Sequence, residues 1–219
     1  MKHGVDHEYG GVITALDRDG AILDTDKSVW FQGRGAWMLA TLYNTVAPRS
    51  EWLQAARAAA DFMTAHCFAP DGKMYFTVTR EGKPLRMRRY VYSESFAAIA
   101  YAALAKATGD DVLALRAQSC YETFLRASFT PGLIPAKSRR PAKGLAPLIA
   151  AIFTGQEVRA NLGDIRVHGA SCTEWIDRLI EEIHRDFMKP EFEAVMECVA
   201  PDGAVIDHFA GGSSIPVTP

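Results

Sequence analysis

A chain of 219 residues, 48% of them apolar, is long enough to bury a real core, as one large domain or two small ones. Its 24 lysines and arginines against 26 acidic residues leave a formal net charge of -2, which gives no general reason to expect nucleic acid or an anionic membrane as partner. The N-terminus carries no apolar leader core, and no run reaches the roughly 18 apolar residues of a spanning helix, so the chain reads as a soluble globular protein.

In chain order, a strand-like piece over 12–16 precedes an Asp19-Gly20 turn, and a helix is expected over 29–44. A second helix follows a candidate cap at Ser50 and carries Trp52, Ala56, Ala59 and Met63 on one stripe. Asp71-Gly72 then opens a strand-like piece over 74–79. The third helix follows Ser93 and stops at Gly109; the fourth follows Asp110, and the two read as a tight helical hairpin. A fifth, over 146–161, tolerates Pro147 in its first turn, and a sixth opens on a Ser171/Glu174 capping box and ends before Pro190. A last strand-like piece, over 195–199, precedes Asp202-Gly203. Six helices thus come as three consecutive pairs. The run Ala69-Pro-Asp-Gly72 recurs as Ala200-Pro-Asp-Gly203, each time after a pair, which suggests an array of helical hairpins with loops on one side.

The densest chemistry lies in Val29-Trp-Phe-Gln-Gly-Arg34-Gly-Ala-Trp37. Trp30, Arg34 and Trp37 share one helical face, an apolar wall around a cation of the kind a sugar site needs; a core helix with a snorkelling arginine has the same pattern. Gly33 and Gly35 flank the arginine, and each costs a helix interior about 1 kcal/mol relative to alanine, which points to close approach by a backbone or a ligand. A second cluster, Arg86-Met-Arg-Arg-Tyr-Val-Tyr-Ser-Glu-Ser-Phe96, would send Arg88, Tyr90 and Tyr92 to one face of an extended segment and Arg89 to the other. Its Glu94 has three readings: it orients a sugar hydroxyl, pairs with Arg34, or sits in a first helical turn where acids are favoured.

Other candidates are weaker. The run 137–143, with Lys137, Arg139, Arg140 and Lys143, reads as a solvated loop or a phosphate contact. His3 and His7 stand four apart, but Gly4 argues against a metal-binding helix, and Asp17-Arg-Asp-Gly20 lacks the rest of a calcium loop. His66 ends a helix, where a cation favours the dipole, and His168, His184 and His208 lack a sequence partner that would mark a catalytic pair. Cys67, Cys120, Cys172 and Cys198 show no zinc spacing, which favours a reduced, cytoplasmic setting. Walker, dinucleotide and nucleophile-elbow motifs are all missing.

The blocks Asp17-Arg-Asp-Gly20, Asp24-Thr-Asp-Lys-Ser-Val-Trp-Phe-Gln-Gly-Arg34, Tyr75-Phe-Thr-Val-Thr-Arg-Glu-Gly-Lys-Pro84 and Tyr92-Ser-Glu-Ser-Phe96, in order and over nearly the whole chain, resemble the N-acylglucosamine 2-epimerase family. The resemblance implies an all-α (α/α)6 barrel, twelve helices in two concentric rings with a sugar at the loop-bearing end. The present six helices would make about half of that barrel, a single incomplete domain over 1–219. It also implies proton abstraction at C2 of an open-chain aldose and reprotonation on the opposite face, with Arg34 and Glu94 as the carried-over catalytic residues and Trp30, Trp37, Arg88, Tyr90 and Tyr92 as sugar contacts. Arginine cannot act as a general base, so Arg34 is expected to stabilise charge at O1.

The family's acid/base histidines come from its second half, which the chain does not reach; it ends at Pro219, with Gly211-Gly212 where many relatives have Gly-Arg. The stretch 145–156 holds no histidine, unlike the sugar isomerases and disaccharide epimerases, which leans toward the acylglucosamine branch. No cofactor is required on this reading, and ATP is a candidate effector. The expected partners are a small sugar and, for ring closure, a second copy or a complementing C-terminal half. A non-catalytic sugar-binding or interaction fragment is the alternative.

Overall fold

The computed structural model describes residues 3–135 and 141–206. Its six helices are α1 (Val29–Thr45), α2 (Ser50–His66), α3 (Tyr92–Thr108), α4 (Asp111–Phe129), α5 (Ala146–Leu162) and α6 (Cys172–Glu182). All six fall where the sequence places them. Asp110 caps α4 by accepting from the backbone of Val112 and Leu113, and both hydrogen bonds of the Ser171/Glu174 capping box are present in α6. α6 continues into a π-turn, Ile183–Phe187, before Pro190. Two starts differ by a residue or two. Arg49, not Ser50, occupies the cap of α2, and α3 begins at Tyr92, because the Ser93 hydroxyl donates to the Tyr75 carbonyl instead of capping the helix.

Helix pairing builds two layers. α1 packs on α3 and α3 on α5, while α2, α4 and α6 each lie against the helix before them. The first layer is parallel. Trp30 and Tyr92 meet near the N-terminal ends of α1 and α3, and the Asn44 side chain reaches the Ala103 carbonyl near their C-terminal ends. Ser95 and Thr154 join α3 to α5 early in both helices, and Lys106 reaches the Ala160 carbonyl late in both. α3, in the middle, is buried nearly all round from Ser93 to Ala105, as its alanine-rich sequence requires. The described parts of the connections that lead into α1, α3 and α5 meet at the N-terminal ends of those helices.

The connections carry very short strands: β1 (Ala15–Leu16), β2 (Ile22–Asp24), β3 (Lys27–Ser28), β4 (Thr77–Val78), β5 (Pro84–Arg86), β6 (Lys143–Gly144), β7 (Arg166–Val167) and β8 (Ala170–Ser171) between α5 and α6, β9 (Met188–Lys189), β10 (Ala194–Val195) and β11 (Cys198–Val199). β3, just before α1, pairs with β4, which follows α2; β6, just before α5, pairs with β11, which follows α6. The first and third hairpins therefore repeat one topology. The Ala-Pro-Asp-Gly turns repeat in detail as well: Gly72 donates to the Ala69 carbonyl at 2.9 Å and Gly203 to the Ala200 carbonyl at 2.9 Å, with φ of 83° and 86°.

Two contacts fix α1. The buried Gln32 side chain both donates to the Val12 carbonyl and accepts from the Val12 N–H, each at 2.7 Å. Gly33 lies against α3 so closely that a Cβ would stand 2.8 Å from the Phe96 carbonyl carbon. The glycine thus serves a backbone approach. Gly35 has no such constraint, since its Cβ would make an ordinary 3.8 Å contact with Val12. We expect Gly33→Ala to push α1 off α3 and cost about 1–3 kcal/mol, read as a lowered denaturation midpoint, and Gly35→Ala to be neutral or stabilising.

Candidate functional site

At the loop-bearing end, the first turns of α1 and α3 and the β4–β5 hairpin bring their aromatic rings together. Trp30 meets Phe76 edge-on at 5.1 Å, Tyr92 at 5.9 Å and Phe96 at 5.6 Å. These rings are all half-buried, so each keeps an accessible edge or face. Arginines stand along the row. The exposed Arg34 guanidinium lies 5.6 Å from the Phe96 centroid and 5.7 Å from Phe31; Arg88 sits 4.1 Å over Phe76, with Arg86 5.7 Å from the same ring. Tyr90 lies 5.8 Å from Tyr92.

Five of the seven sequence-derived site residues, Trp30, Arg34, Arg88, Tyr90 and Tyr92, therefore belong to one connected cluster. The expected alternation along 88–92 is not what joins them. β5 ends at Arg86, and Arg89, expected on the opposite face, stacks on Tyr90 at 4.8 Å and donates to its hydroxyl at 2.9 Å.

Trp37 lies two turns further along α1, about 10 Å from Trp30. Its indole N–H donates to Glu157 on α5 at 2.7 Å, and its ring meets Phe153 edge-on. It lines a groove of about 410 Å³ with Phe31, Arg34, Met38, Val5 and Val12. A similar groove between α3 and α5 is lined by Tyr92, Ser95, Phe96, Ile149, Ala150 and Phe153. The two tryptophans thus meet different neighbours, Phe76, Tyr92 and Phe96 around Trp30 and Phe153 and Glu157 around Trp37.

Glu94 corrects an expectation. It is 1% exposed, lines neither groove, and among the described residues forms no ion pair with Arg34 or any other cation. One carboxyl oxygen accepts the Met74 N–H at 2.8 Å; the other has no partner among the described residues. Burial pushes its carboxyl up to about 7, only partly opposed by the Met74 hydrogen bond. Of the three readings, the pair with Arg34 is not formed, and Glu94 does lie in the first turn of α3.

Of the basic run, Lys137, Arg139 and Arg140 lie outside the described residues, as do His208, Gly211 and Gly212. Lys143 is tied to Asp186 and Glu182, which occupies it as a phosphate contact. Its partner Asp186 is drawn down to about 2 by Arg185, with burial opposing and Lys143 helping. His66 packs on Phe62 and His168 on Trp175, neither beside the aromatic row. Cys67, Cys120 and Cys172 are buried thiols, and among the described residues no group of three metal-ligating side chains assembles. No described helix is long and apolar enough to cross a membrane.

Phe31, Phe76, Phe96 and Phe153 escaped the sequence reading. Spacing could have found three of them: Phe31 stands three residues before Arg34, Phe96 four after Tyr92, and Phe153 four after Ile149, each pair on one helical face.

The family model described as N-acylglucosamine 2-epimerase matches residues 11–134, which takes in α1 to α4 and the whole aromatic row. The mouse N-acylglucosamine 2-epimerase is 42% identical over 114 residues, 50% of this chain and 27% of that protein. The cellobiose 2-epimerase of Eubacterium cellulosolvens is 30% identical over 119 residues, 53% of this chain and 29% of that protein. In three dimensions the cellobiose 2-epimerase of Bacillus thermoamylovorans superposes with a TM-score of 0.78 at 17% identity, over 93% of this chain and 56% of that one. The last match carries the fold through α5 and α6, beyond the sequence match. The chain spans little more than half the length of that enzyme, and its layers are about half of an (α/α)6 barrel.

Proposed function

The chain belongs to the N-acylglucosamine 2-epimerase family, and from that premise we propose that it forms the sugar-facing half of a 2-epimerase for acylated hexosamines of the N-acetylglucosamine/N-acetylmannosamine type. Arg34 carries this reading. It is an exposed guanidinium with no carboxylate partner among the described residues, held against Phe31 and Phe96 at the loop-bearing end.

In the proposed reaction a base removes the C2 proton of the open-chain aldose, and the electron pair moves into a C1–C2 double bond as O1 takes up negative charge. Arg34 donates to O1 at that moment. Return of a proton to the opposite face of C2 regenerates the aldehyde with inverted configuration. A guanidinium remains protonated throughout, so proton transfer falls to other groups. No described histidine lines either groove, and we assign the acid/base pair to helices that complete the ring.

Ring closure also answers the exposure of Phe31 and Met38 on α1 and Ile149 on α5, all apolar side chains about half exposed on the first layer. A complementing C-terminal half would cover them. So would a second copy: because α1, α3 and α5 are parallel, a half-turn about an axis along them sets α5 of one copy beside α1 of the other. We place the protein in the cytoplasm, acting without a required cofactor, with ATP as a candidate effector and neither nucleic acid nor membrane as partner.

The acylglucosamine preference over a disaccharide is supported by the higher identity to the mouse enzyme and by the absence of histidine in 145–156. The alternative, a sugar-binding fragment without catalysis, is favoured by the lack of a described histidine at the grooves. Both readings share one test. Ligand-observed NMR should show N-acetylmannosamine binding the folded chain and Arg34→Ala weakening it by about tenfold or more, with an unchanged melting curve. Equal binding by both proteins removes Arg34 from the site.

A further inference from the structure

Arg34 alone satisfies the charge that develops at O1, yet the row of rings carries further cations. Arg86 and Arg88 both stand on Phe76, at the end of the row away from Arg34. Several lysines and arginines of this protein are spoken for: Lys27 and Arg80 pair with Asp6, Lys143 and Arg185 with Asp186, and Arg166 with Glu174. Arg34, Arg86 and Arg88 are exposed and form no ion pair among the described residues. The acids nearest in sequence to Arg86 and Arg88 are Glu81, at the hairpin turn, where its carboxylate accepts from the Thr79 hydroxyl, and Glu94, whose carboxyl is buried.

A guanidinium laid on an aromatic face is positioned before any ligand arrives, and its N–H edge stays open for an acceptor. Two such groups on one ring suit an anion with several terminal oxygens, which can accept from both at once. The parallel first layer adds a weaker contribution, because the positive ends of α1 and α3 face the same mouth.

We propose that this end of the aromatic row binds a phosphomonoester carried by the sugar, so that the ligand is an anionic hexosamine phosphate lying along Phe96, Trp30 and Phe76. Its carbonyl end lies at Arg34 and its phosphate at Arg86 and Arg88. The proposal rests on the sugar-facing reading of the row and names the substrate class within it.

The test is calorimetric titration of the whole chain with N-acetylglucosamine, N-acetylglucosamine 6-phosphate and inorganic phosphate. The phosphorylated sugar is expected to bind about tenfold or more tightly than the neutral one, with a gain that shrinks as salt rises and is lost in Arg86→Gln/Arg88→Gln. Circular dichroism of the double variant checks that it is folded. Equal affinity for the two sugars, or a gain that survives the double substitution, overturns the proposal. Inorganic phosphate binding as tightly as the sugar phosphate overturns the sugar as its carrier. Binding of the phosphorylated sugar through Arg86 and Arg88 with no dependence on Arg34 supports the phosphate subsite while removing Arg34 from the proposed reaction.

Discussion

Asp6→Asn is expected to lower stability by about 3–5 kcal/mol, the cost of stranding a buried charge, which in a chain of this size is a fall of about 10 °C in melting temperature. Asp6 and Lys27 have fully buried side chains, and Lys27 Nζ reaches Asp6 at 2.9 Å, the Gly10 carbonyl at 2.7 Å and the Arg80 carbonyl at 2.7 Å. Arg80 adds two further hydrogen bonds to the same carboxylate, at 2.9 and 3.1 Å. One carboxylate thereby ties the N-terminal segment to the strand before α1 and to the β4–β5 hairpin that carries Arg86 and Arg88. Asparagine keeps the shape and can still accept from the Glu8 and Tyr9 N–H groups, so the loss isolates the charge.

Burial opposes ionisation of Asp6, but the hydrogen bonds from Arg80 and Lys27 outweigh it and hold the carboxyl well below the ordinary range. Its stabilising contribution is therefore complete above the unfolded carboxylate value near pH 4 and is lost as pH falls toward the depressed folded value. Urea denaturation from pH 7 to pH 3 should show a weaker acid dependence in Asp6→Asn than in the wild type. Adding Lys27→Met to Asp6→Asn should recover part of the loss. An unaltered midpoint in Asp6→Asn would mean that the pair contributes nothing to the fold.

Glu94 gives the second large effect, with the opposite sign. Burial raises its carboxyl to about 7, so between pH 4.5 and 7 the unfolded chain releases a proton that the folded chain keeps. Stability should fall as pH rises through this window, by about 3 kcal/mol in total. Glu94→Gln keeps an acceptor for the Met74 N–H and cannot ionise, so its denaturation midpoint should be nearly flat over the same window. A wild-type midpoint that does not change between pH 5 and pH 8 would contradict the buried, unpartnered carboxyl.

The local chemistry of the fold was legible. Asp110, Ser171 with Glu174, Pro147 and Gly109 mark helix ends by side-chain or backbone requirements that act within a few residues, and the Ala-Pro-Asp-Gly turns repeat because Gly72 and Gly203 both take a positive φ. Where a tertiary partner intervened, reading failed. Ser93 resembles a cap, but its hydroxyl finds Tyr75; Arg89 should alternate away from Tyr90, but the strand stops at Arg86 and the two side chains stack.

The candidate site divides in the same way. Trp30 and Arg34 share a helical face by spacing alone, whereas Phe76 and Phe96 join them from a hairpin and a helix distant in sequence. Glu94 has the right sequence neighbours for a site residue, and its burial, with the carboxyl turned to the Met74 N–H and away from Arg34, is not written in those neighbours.

The most direct test of the central claim follows the C2 proton of N-acetylmannosamine by proton NMR in deuterated water with the purified, folded chain, with and without ATP, alongside Arg34→Ala. If the chain closes its ring by self-association and so assembles an acid/base pair, the account predicts loss of the C2 proton signal and growth of the epimer, slowed about 10²–10³-fold by Arg34→Ala. Exchange that proceeds equally well without Arg34 would contradict the role assigned to it. No exchange, even when a C-terminal half from a relative is supplied to complete the ring, would contradict the epimerase reading and leave a sugar-binding fragment.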